Sequence, residues 1–420
     1  MSLESTTITA WSGATLQAGE PSNWRERQVV KRLDRLHTGR LEVTLPNDSL
    51  AVFEGGRCGP TAWMHIRTPA MVTRLFKAGS IGFAEGYMAG EWDNDDLDTL
   101  IYLLHLNEDA LEPDFSRLQY LYTLTSTIRH RLRRNSKRGA KRNIAYHYDL
   151  GNDFYAQWLD ETWTYSSAIF AYADEPLADA QRRKYARLLA RLDVQPGDHI
   201  LEIGCGWGGF ARYAAEHADG RVTGLTLSEE QLRFAEERTR EAGLADRVSF
   251  GLRDYRDVTD TYDHVVSIEM YEAVGEAYWP TYFKAIHDML KPGGRAALQA
   301  ITIQESSFDY YRANVDFIQE YVFPGGMLAS PTALKACAKE QGLSARETDF
   351  YGADYARTLM RWDTAVRGAR ESIIAGRGES FFRMWRYYLA YCAAGFNSGN
   401  IDLMQIALER PAGDAANPGA

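Results

Sequence analysis

The sequence predicts an α/β fold, an open sheet whose strands alternate with helices, carried behind a smaller N-terminal α+β domain. Three observations predict it. Ile200, Leu201 and Ile203 form an apolar β-type run that leads straight into Gly204, Gly206, Gly208 and Gly209, and a helical pattern follows from Phe210 to about His217. About twenty residues on, Arg221-Val-Thr-Gly-Leu-Thr-Leu reads as a second strand, ending in polar Thr226 and Ser228 with Glu229, Glu230 and Gln231 beyond. Then Arg247-Val-Ser-Phe-Gly-Leu is closed by Asp254-Tyr-Arg-Asp, Tyr262-Asp-His-Val-Val-Ser-Ile-Glu-Met supplies a fourth strand, and Leu290-Lys-Pro-Gly-Gly-Arg-Ala-Ala-Leu-Gln a turn and strand after a helix. A glycine-dense turn lets a ligand sit against the backbone because no Cβ blocks it. In open α/β sheets ligands lie at the carboxyl ends of the strands.

Taken alone, a glycine turn after a strand also reads as a packing turn. Its spacing, G-x-G-x-G-G, departs from the dinucleotide fingerprint G-x-G-x-x-G, and Glu202 before the first glycine suits an adenosyl methionine site better. The order strand, helix, strand, acidic turn, strand, helix, Pro-Gly-Gly, strand is similar to that of class I S-adenosylmethionine methyltransferases, which implies a Rossmann-like catalytic domain.

At 420 residues the chain is long enough for two domains and a buried core. A hydrophobic content of 45% with 25% charged residues is that of a soluble globular protein. Cys58, Cys205, Cys337 and Cys392 are widely spaced and form no CxxC pair, which argues against a disulfide framework and a zinc site and fits a reducing cytoplasm. No signal peptide and no apolar run of about eighteen residues is present, so no membrane span is predicted. A net charge of −10 disfavours a general nucleic-acid binder.

The N-terminal domain is placed at residues 1–125. Ser, Thr and Gly open it as a frayed terminus, and a charged helical stretch runs over 24–36. Leu41-Glu-Val-Thr-Leu alternates as a half-buried strand, Pro46-Asn-Asp turns, Leu50-Ala-Val-Phe pairs back and Ala62-Trp-Met-His-Ile-Arg forms a third strand. A helix over roughly 70–76 precedes a glycine-rich loop over 78–92. Glu85, Tyr87, Glu91 and Trp92 in that loop read as packing groups or, less simply, as the lining of a site.

A helical pattern over 100–124 leads into a linker at 126–142, where Arg129, Arg131, Arg133, Arg134, Lys137, Arg138, Lys141 and Arg142 occur with no acid between them. In an acidic chain this block is a local field. It reads as a solvated linker or as a contact for anionic lipid headgroups, each basic residue contributing on the order of 1 kcal/mol near such a surface; a nucleic-acid arm lacks any recognition module around it. The aromatic stretch from Tyr146-His-Tyr-Asp-Leu-Gly-Asn-Asp-Phe-Tyr through Trp158 to Thr164-Tyr-Ser-Ser-Ala-Ile-Phe reads as core or as a substrate lid before the cofactor sheet.

Over 143–410 the chain resembles the cyclopropane-fatty-acyl-phospholipid synthase family, which includes the mycolic acid cyclopropane synthases. The resemblance rests on the Tyr146 stretch, Tyr165-Ser, Glu202-Ile-Gly-Cys-Gly-Trp-Gly-Gly, Thr226-Leu-Ser-Glu-Glu-Gln and Ser267-Ile-Glu-Met-Tyr-Glu. It continues in Tyr321-Val-Phe-Pro-Gly-Gly, Gly352-Ala-Asp-Tyr-Ala-Arg-Thr-Leu and Trp385-Arg-Tyr-Tyr-Leu-Ala-Tyr-Cys. It implies methyl transfer from S-adenosylmethionine to a cis double bond in a phospholipid acyl chain, at a peripheral membrane surface on the cytoplasmic face, by a protein that often forms a homodimer. An alkene is a poor nucleophile, so it must be held in line in a dry pocket, the cation shielded and a proton removed. The family's base is taken to be a bound bicarbonate. By resemblance Tyr165, Ser166, Glu202, Gly204, Gly206, Thr226, Leu227, Gln231, Tyr255 and Arg256 hold the cofactor. Glu272 and Tyr355 match the side chains around bicarbonate, and Ile301 a backbone contact. Cys392 aligns with a cysteine once proposed as a nucleophile and reads equally as a buried structural thiol.

Three departures touch the bicarbonate site. The usual Tyr-Ser-Cys-Ala is Tyr165-Ser-Ser167-Ala, Phe-Glu-His is Tyr271-Glu-Ala273, and Leu-His-Thr-Ile is Leu298-Gln299-Ala-Ile301. Ser167 keeps a small polar group and its amide; Gln299 keeps hydrogen-bonding capacity without positive charge, which lowers the expected anion affinity. The resemblance thus implies a cyclopropane product first and a methylene- or methyl-branched chain from the same cation second. A small-molecule methyltransferase of the same fold and a non-catalytic lipid-binding protein are the competing readings; intact Glu202, Gly204, Gly206 and Gln231 argue against the latter.

Overall fold

The strands predicted from residue 199 onward form one sheet, in a computed structural model that describes residues 9–11, 14–17, 24–111 and 150–412. The basic block at 129–142, the predicted helix beyond Leu111 and the Tyr146-His-Tyr-Asp segment lie outside the described residues, and so does the predicted boundary between domains. Contacts divide the chain into two units.

The second unit carries the predicted sheet. Its strands are β7 (His199–Ile203), β8 (Arg221–Thr226), β9 (Val248–Leu252), β10 (Tyr262–Ile268), β11 (Leu290–Ile303), β12 (Ser344–Phe350) and β13 (Ile401–Glu409), in the order β12-β13-β11-β10-β7-β8-β9. Pairs from β11 through β9 are parallel, whereas β13 runs antiparallel to β11 and β12. A parallel sheet must be covered on both faces, and the strands read accordingly as nearly continuous apolar runs. Leu201, Ile203, Val265 and Ala296 pack towards Trp279, Tyr282, Phe283 and Ile286 of the helix Trp279–Met289. Their neighbours Ile200, Val266 and Ala297 pack on the other face against Tyr185, Leu188, Phe210 and Ala214. Those partners come from the helices Leu177–Leu192 and Gly209–His217. The helix Glu229–Glu241 is capped by the Ser228 hydroxyl, which accepts the Gln231 amide at 3.3 Å, and Glu229 and Glu230 in its first turn suit its dipole.

The first unit joins the N-terminal residues with 314–320 and 366–398. Its sheet has the order β1-β2-β4-β3-β5-β6, with β1 at Thr9–Trp11, β2 at Ala14–Gln17, β3 at Thr38–Thr44, β4 at Leu50–Glu54, β5 at Arg57–Ile66 and β6 at Trp92–Asp93. The alternating burial of β3 and β4 is the period-two signal of the sequence. The glycine-rich loop expected over 78–92 is instead mostly helix: Ala70–Met88 is one element with a kink at Gly79, whose φ is 57° and ψ −134°. The other glycines serve close packing. A Cβ on Gly82 would lie 2.1 Å from the Arg74 carbonyl oxygen, and one on Gly86 would lie 3.2 Å from the Trp92 ring. Tyr87 and Trp92 are buried, Trp92 Nε1 donates to the Phe83 carbonyl at 2.8 Å, and Arg74 pairs with Glu85 and Glu91, so these four residues pack.

Sequence order places 366–398 with the catalytic domain; contacts place it with the first unit. The reason is the helix Glu379–Asn397, which buries Trp385, Tyr387, Tyr388 and Leu389 against the helices Ala70–Met88 and Leu97–His105. Arg383 closes this packing: its guanidinium lies 4.0 Å from the Tyr87 ring centroid and donates to the carbonyls of Tyr87 and Trp92, the latter at 2.8 Å.

Candidate active site

A cavity opens at the carboxyl ends of β7, β8 and β10, beside the point where the strand order reverses. All ten residues that the resemblance assigns to the cofactor line it, from Tyr165 and Ser166 to Tyr255 and Arg256. The turn after β7 makes room for a ligand. Gly204, Gly206 and Gly208 have φ of 81°, 52° and 80°, a region that disfavours any side chain, and a Cβ on Gly206 would meet no protein atom within 4 Å.

Two buried polar atoms on this wall have no protein partner, Glu202 Oε2 and Gln231 Nε2. Thr226 Oγ1 donates to Gln231 Oε1 at 2.9 Å and so fixes which end of the amide is spent. Burial pushes the Glu202 carboxyl up to about 8, with Lys184 pulling the other way. An acceptor, a donor and a backbone without Cβ suit a ligand that carries ammonium, hydroxyl and carboxylate groups, as S-adenosylmethionine does. Arg256 is already committed: it bonds Asp254 through Nε at 2.8 Å and Nη2 at 2.6 Å, and lies over the Tyr255 ring. It forms the wall through that pair.

The residues assigned to bicarbonate also come together, but around a protein carboxylate. Glu269 follows β10 directly and lines the cofactor cavity. Its Oε1 accepts the Ser167 N–H at 2.9 Å and Gln299 Nε2 at 2.7 Å; its Oε2 accepts the Tyr355 hydroxyl at 2.5 Å. The Ser167 hydroxyl is spent on the Ala168 carbonyl, and the Ile301 N–H on Glu272. Gln299 is held in this orientation from behind. Gln405, its direct cross-strand partner on β13, donates Nε2 to Gln299 Oε1 at 2.9 Å. The predicted bicarbonate seat therefore has its donors turned onto Glu269, and the residues present do not fit a second anion there.

Charge in this corner is set by burial. Desolvation raises the Glu269 carboxyl, while Lys184, Tyr355, Ser167 and Gln299 hold it down. Glu272 is pushed up to about 8 by burial and by the nearby Glu269 charge, and its Oε2 has no partner. Lys184 is 0% exposed, donates to Ser166 Oγ at 2.6 Å, and is pulled down to about 7 by burial against the opposing pull of Glu269, Asp160 and Glu202. The backbone at Glu269 has φ 50°, a left-handed conformation that costs a non-glycine residue about 1 kcal/mol or more.

Tyr155, Trp158, Tyr165, Trp207 and Trp362 form one aromatic cluster with ring centroids 4.9 to 5.6 Å apart, of which Tyr165 and Trp207 line the cavity. The stretch around Tyr165 is tied down by Ala168 N–H to Thr358 at 3.1 Å and Phe170 N–H to Asp354 at 3.3 Å, both acceptors on the helix Gly352–Gly368. Its buried residues are core as well as wall. Cys392 stands apart. It belongs to the first unit, where burial and Asp316 push its thiol far up, the condition of an unreactive structural thiol. Among the described residues no metal-binding cluster of His, Cys, Asp or Glu occurs, and no helix is long and apolar enough to cross a membrane.

Sequence reasoning missed Glu269, Lys184 and Gln405. Glu269 carried a usable signal: a carboxylate on the first residue after a central strand sits where α/β sheets place ligands. Lys184 sits among Arg182, Arg183 and Arg187 in an ordinary amphipathic helix, and Gln405 is a lone amide in an apolar strand; neither stands out before the fold is known.

The mycolic acid cyclopropane synthetase family matches residues 135–406. A tuberculostearic acid methyltransferase of Mycobacterium tuberculosis is 42% identical over 392 residues, covering 91% of each chain. A cyclopropane-fatty-acyl-phospholipid synthase of Escherichia coli is 35% identical over 348 residues, 83% of this chain and 87% of that one. The solved mycolic acid cyclopropane synthase in complex with SAH and CTAB is 31% identical, with a TM-score of 0.61 over 64% of this chain and 98% of that one.

Proposed function

The chain belongs to the mycolic acid cyclopropane synthetase family of S-adenosylmethionine-dependent methyltransferases, and we propose that it methylates the cis double bond of an unsaturated phospholipid acyl chain. The observation that carries this reading is the Glu269 carboxylate, held by three donors on the wall of the cofactor cavity. When bound, S-adenosylmethionine supplies an electrophilic methyl group. A nitrogen acceptor gives a product stable once a solvent-exchangeable proton is lost. A carbon–carbon double bond instead gives a cation that must lose a proton from carbon, and a desolvated carboxylate beside the methyl donor suits that demand.

The chain's own residues divide the work. Glu202, Gln231 and the glycine turn hold the cofactor; the Tyr165 ring, backed by Trp158 and Trp362, lines the cavity, excludes water and offers a π face to the cation. Loss of a proton from the new methyl closes a three-membered ring. If a hydride first moves from the methylated carbon to its cationic neighbour, loss of the same kind of proton leaves a methylene branch on the open chain. The lifetime of the cation thus chooses the product. We place the methylene-branched chain first, because the relative named for tuberculostearic acid is more similar over more of the chain; the Escherichia coli relative supports the ring as second reading. The acyl chain would be reached at an anionic membrane surface through the basic block at 129–142.

The test is mass spectrometry of acyl chains after incubation with S-adenosylmethionine and vesicles of a cis-monounsaturated phospholipid. A gain of one CH2 supports the reading, and its absence on every unsaturated lipid refutes it. NMR of the product then separates the two outcomes: a surviving double bond identifies the methylene branch, none identifies the ring.

A further inference from the structure

We propose that the Glu269 carboxylate is the base of this reaction, built into the chain in the seat expected for bicarbonate, so that the enzyme turns over without that anion. The inference rests on the proposed methylation of an acyl double bond. Three observations carry it. Apart from the Ile301 amide and the Ser167 hydroxyl, every donor assigned to the anion by resemblance ends on Glu269: the Ser167 N–H, the Gln299 side-chain amide and the Tyr355 hydroxyl. The one unpartnered polar side-chain atom of the assigned anion set is Glu272 Oε2, a single site where a second anion would need several donors. Glu269 also adopts φ 50°. A glycine would take that conformation without strain, so a glutamate held there against its preference points to work done by the side chain.

The atoms balance without any outside reagent. The alkene π pair forms the new carbon–carbon bond as the sulfur–methyl bond breaks, leaving a cation on the chain and S-adenosylhomocysteine. A methyl C–H bond then gives its electron pair to the ring or the methylene, and its proton passes to a Glu269 oxygen. Three donors stabilise the carboxylate as acceptor beforehand, and Gln299 stays aimed because Gln405 holds its other end. Since the base is tethered to β10 beside the cavity, it needs no binding step.

The experiment uses the full chain and two variants. E269G removes the side chain and relaxes the backbone, so it is expected to fold, and it reopens the seat; E269Q keeps the seat filled without a base. In buffer freed of carbon dioxide, wild type is expected to methylate lipid at the same rate with and without added bicarbonate. E269G should fall by about 100-fold or more and recover substantially on adding bicarbonate, whereas E269Q should fall as far with no recovery. Independently of turnover, line broadening of 13C-bicarbonate in NMR should report binding by E269G and none by wild type. Wild-type turnover that requires bicarbonate, bicarbonate bound by wild type, or E269G at full rate without the anion would each overturn the proposal while leaving lipid methylation intact. No mass gain from wild type on any unsaturated lipid refutes the function and the base together.

Discussion

Two polar regions share one cavity and differ in what they leave unfinished. On the β7–β8 side, Glu202 Oε2 and Gln231 Nε2 are buried with no partner, and the glycine turn leaves space that no side chain fills. On the β10–β11 side, Ser167, Gln299 and Tyr355 aim their donors at Glu269. Buried polar groups are nearly always paired, so the two orphans beside an open glycine turn suit an absent ligand, whereas on the other side Glu269 takes the donors and leaves Glu272 Oε2 over. The difference teaches how to read a family site whose residues have changed. A substituted motif can have lost its ligand, or the chain can have grown its own.

The largest effect should come from filling the unfinished side. Gly206→Val places a branched side chain at φ 52° into the ligand space and is expected to weaken S-adenosylmethionine binding by more than about 100-fold in calorimetry. A Cβ there meets no protein atom within 4 Å, so the cost to the fold is the backbone strain at φ 52°, which thermal unfolding of the variant measures separately from binding. Unchanged affinity would show that this side is not the cofactor's.

The second way to sharpen the comparison is pH. Glu202 and Glu272 stand near 8 in the folded chain against an ordinary 4.5, so between those values the folded state holds protons that the unfolded state has released. Stability therefore falls as pH rises through that window. Lys184 stands near 7 against 10.5, so the folded state binds fewer protons there and stability rises with pH above 7. Below 7 the raised Glu269 and Asp316 carboxyls act in the same direction as these two. The urea midpoint should drop from pH 5 to 7, the unfolding free energy falling by an amount on the order of 2 kcal/mol or more. Glu272→Gln should make that slope shallower. A midpoint flat or rising over this range would mean that these carboxyls are ionised and paired.

Much of this was legible from sequence because it is local. The strand, glycine turn and helix at 199–217 follow from alternation and missing Cβ atoms, and strand followed by helix recurs at 221–241 and 262–289. The ten residues assigned to the cofactor come to line one cavity because each short motif fixes its own geometry within a few positions and the strand ends bring the motifs together. The completed anion seat was not legible, since it joins residues from four separate places: Ser167, Glu269, Gln299 and Tyr355. Glutamate at 269 reads as one more polar residue after a strand until Gln299 and Tyr355 are seen pointing at it. The glycine-rich loop expected over 78–92 failed for the opposite reason. Glycine signals both free backbone and close packing, and only the neighbours of Gly82 and Gly86 decide between them.

The smallest expected effect probes the completed side from behind. Gln405 touches neither the cofactor cavity nor Glu269; it holds Gln299 Oε1 and thereby turns Nε2 towards the carboxylate. Gln405→Leu keeps similar volume in the strand and frees the Gln299 amide to rotate. A rotated amide would face Glu269 with oxygen, removing a donor from the ionised form, and loss of a hydrogen bond to a carboxylate raises its pKa. A base must be ionised to act, so the acidic limb of the rate profile should move to higher pH, and kcat near neutrality should fall about tenfold, equivalent to about 1.4 kcal/mol. Cofactor affinity should stay unchanged, because the cavity wall is untouched. If kcat falls with no displacement of the acidic limb, Gln405 acts only in packing, and the orientation of Gln299 is set by Glu269 and the Ser167 carbonyl instead.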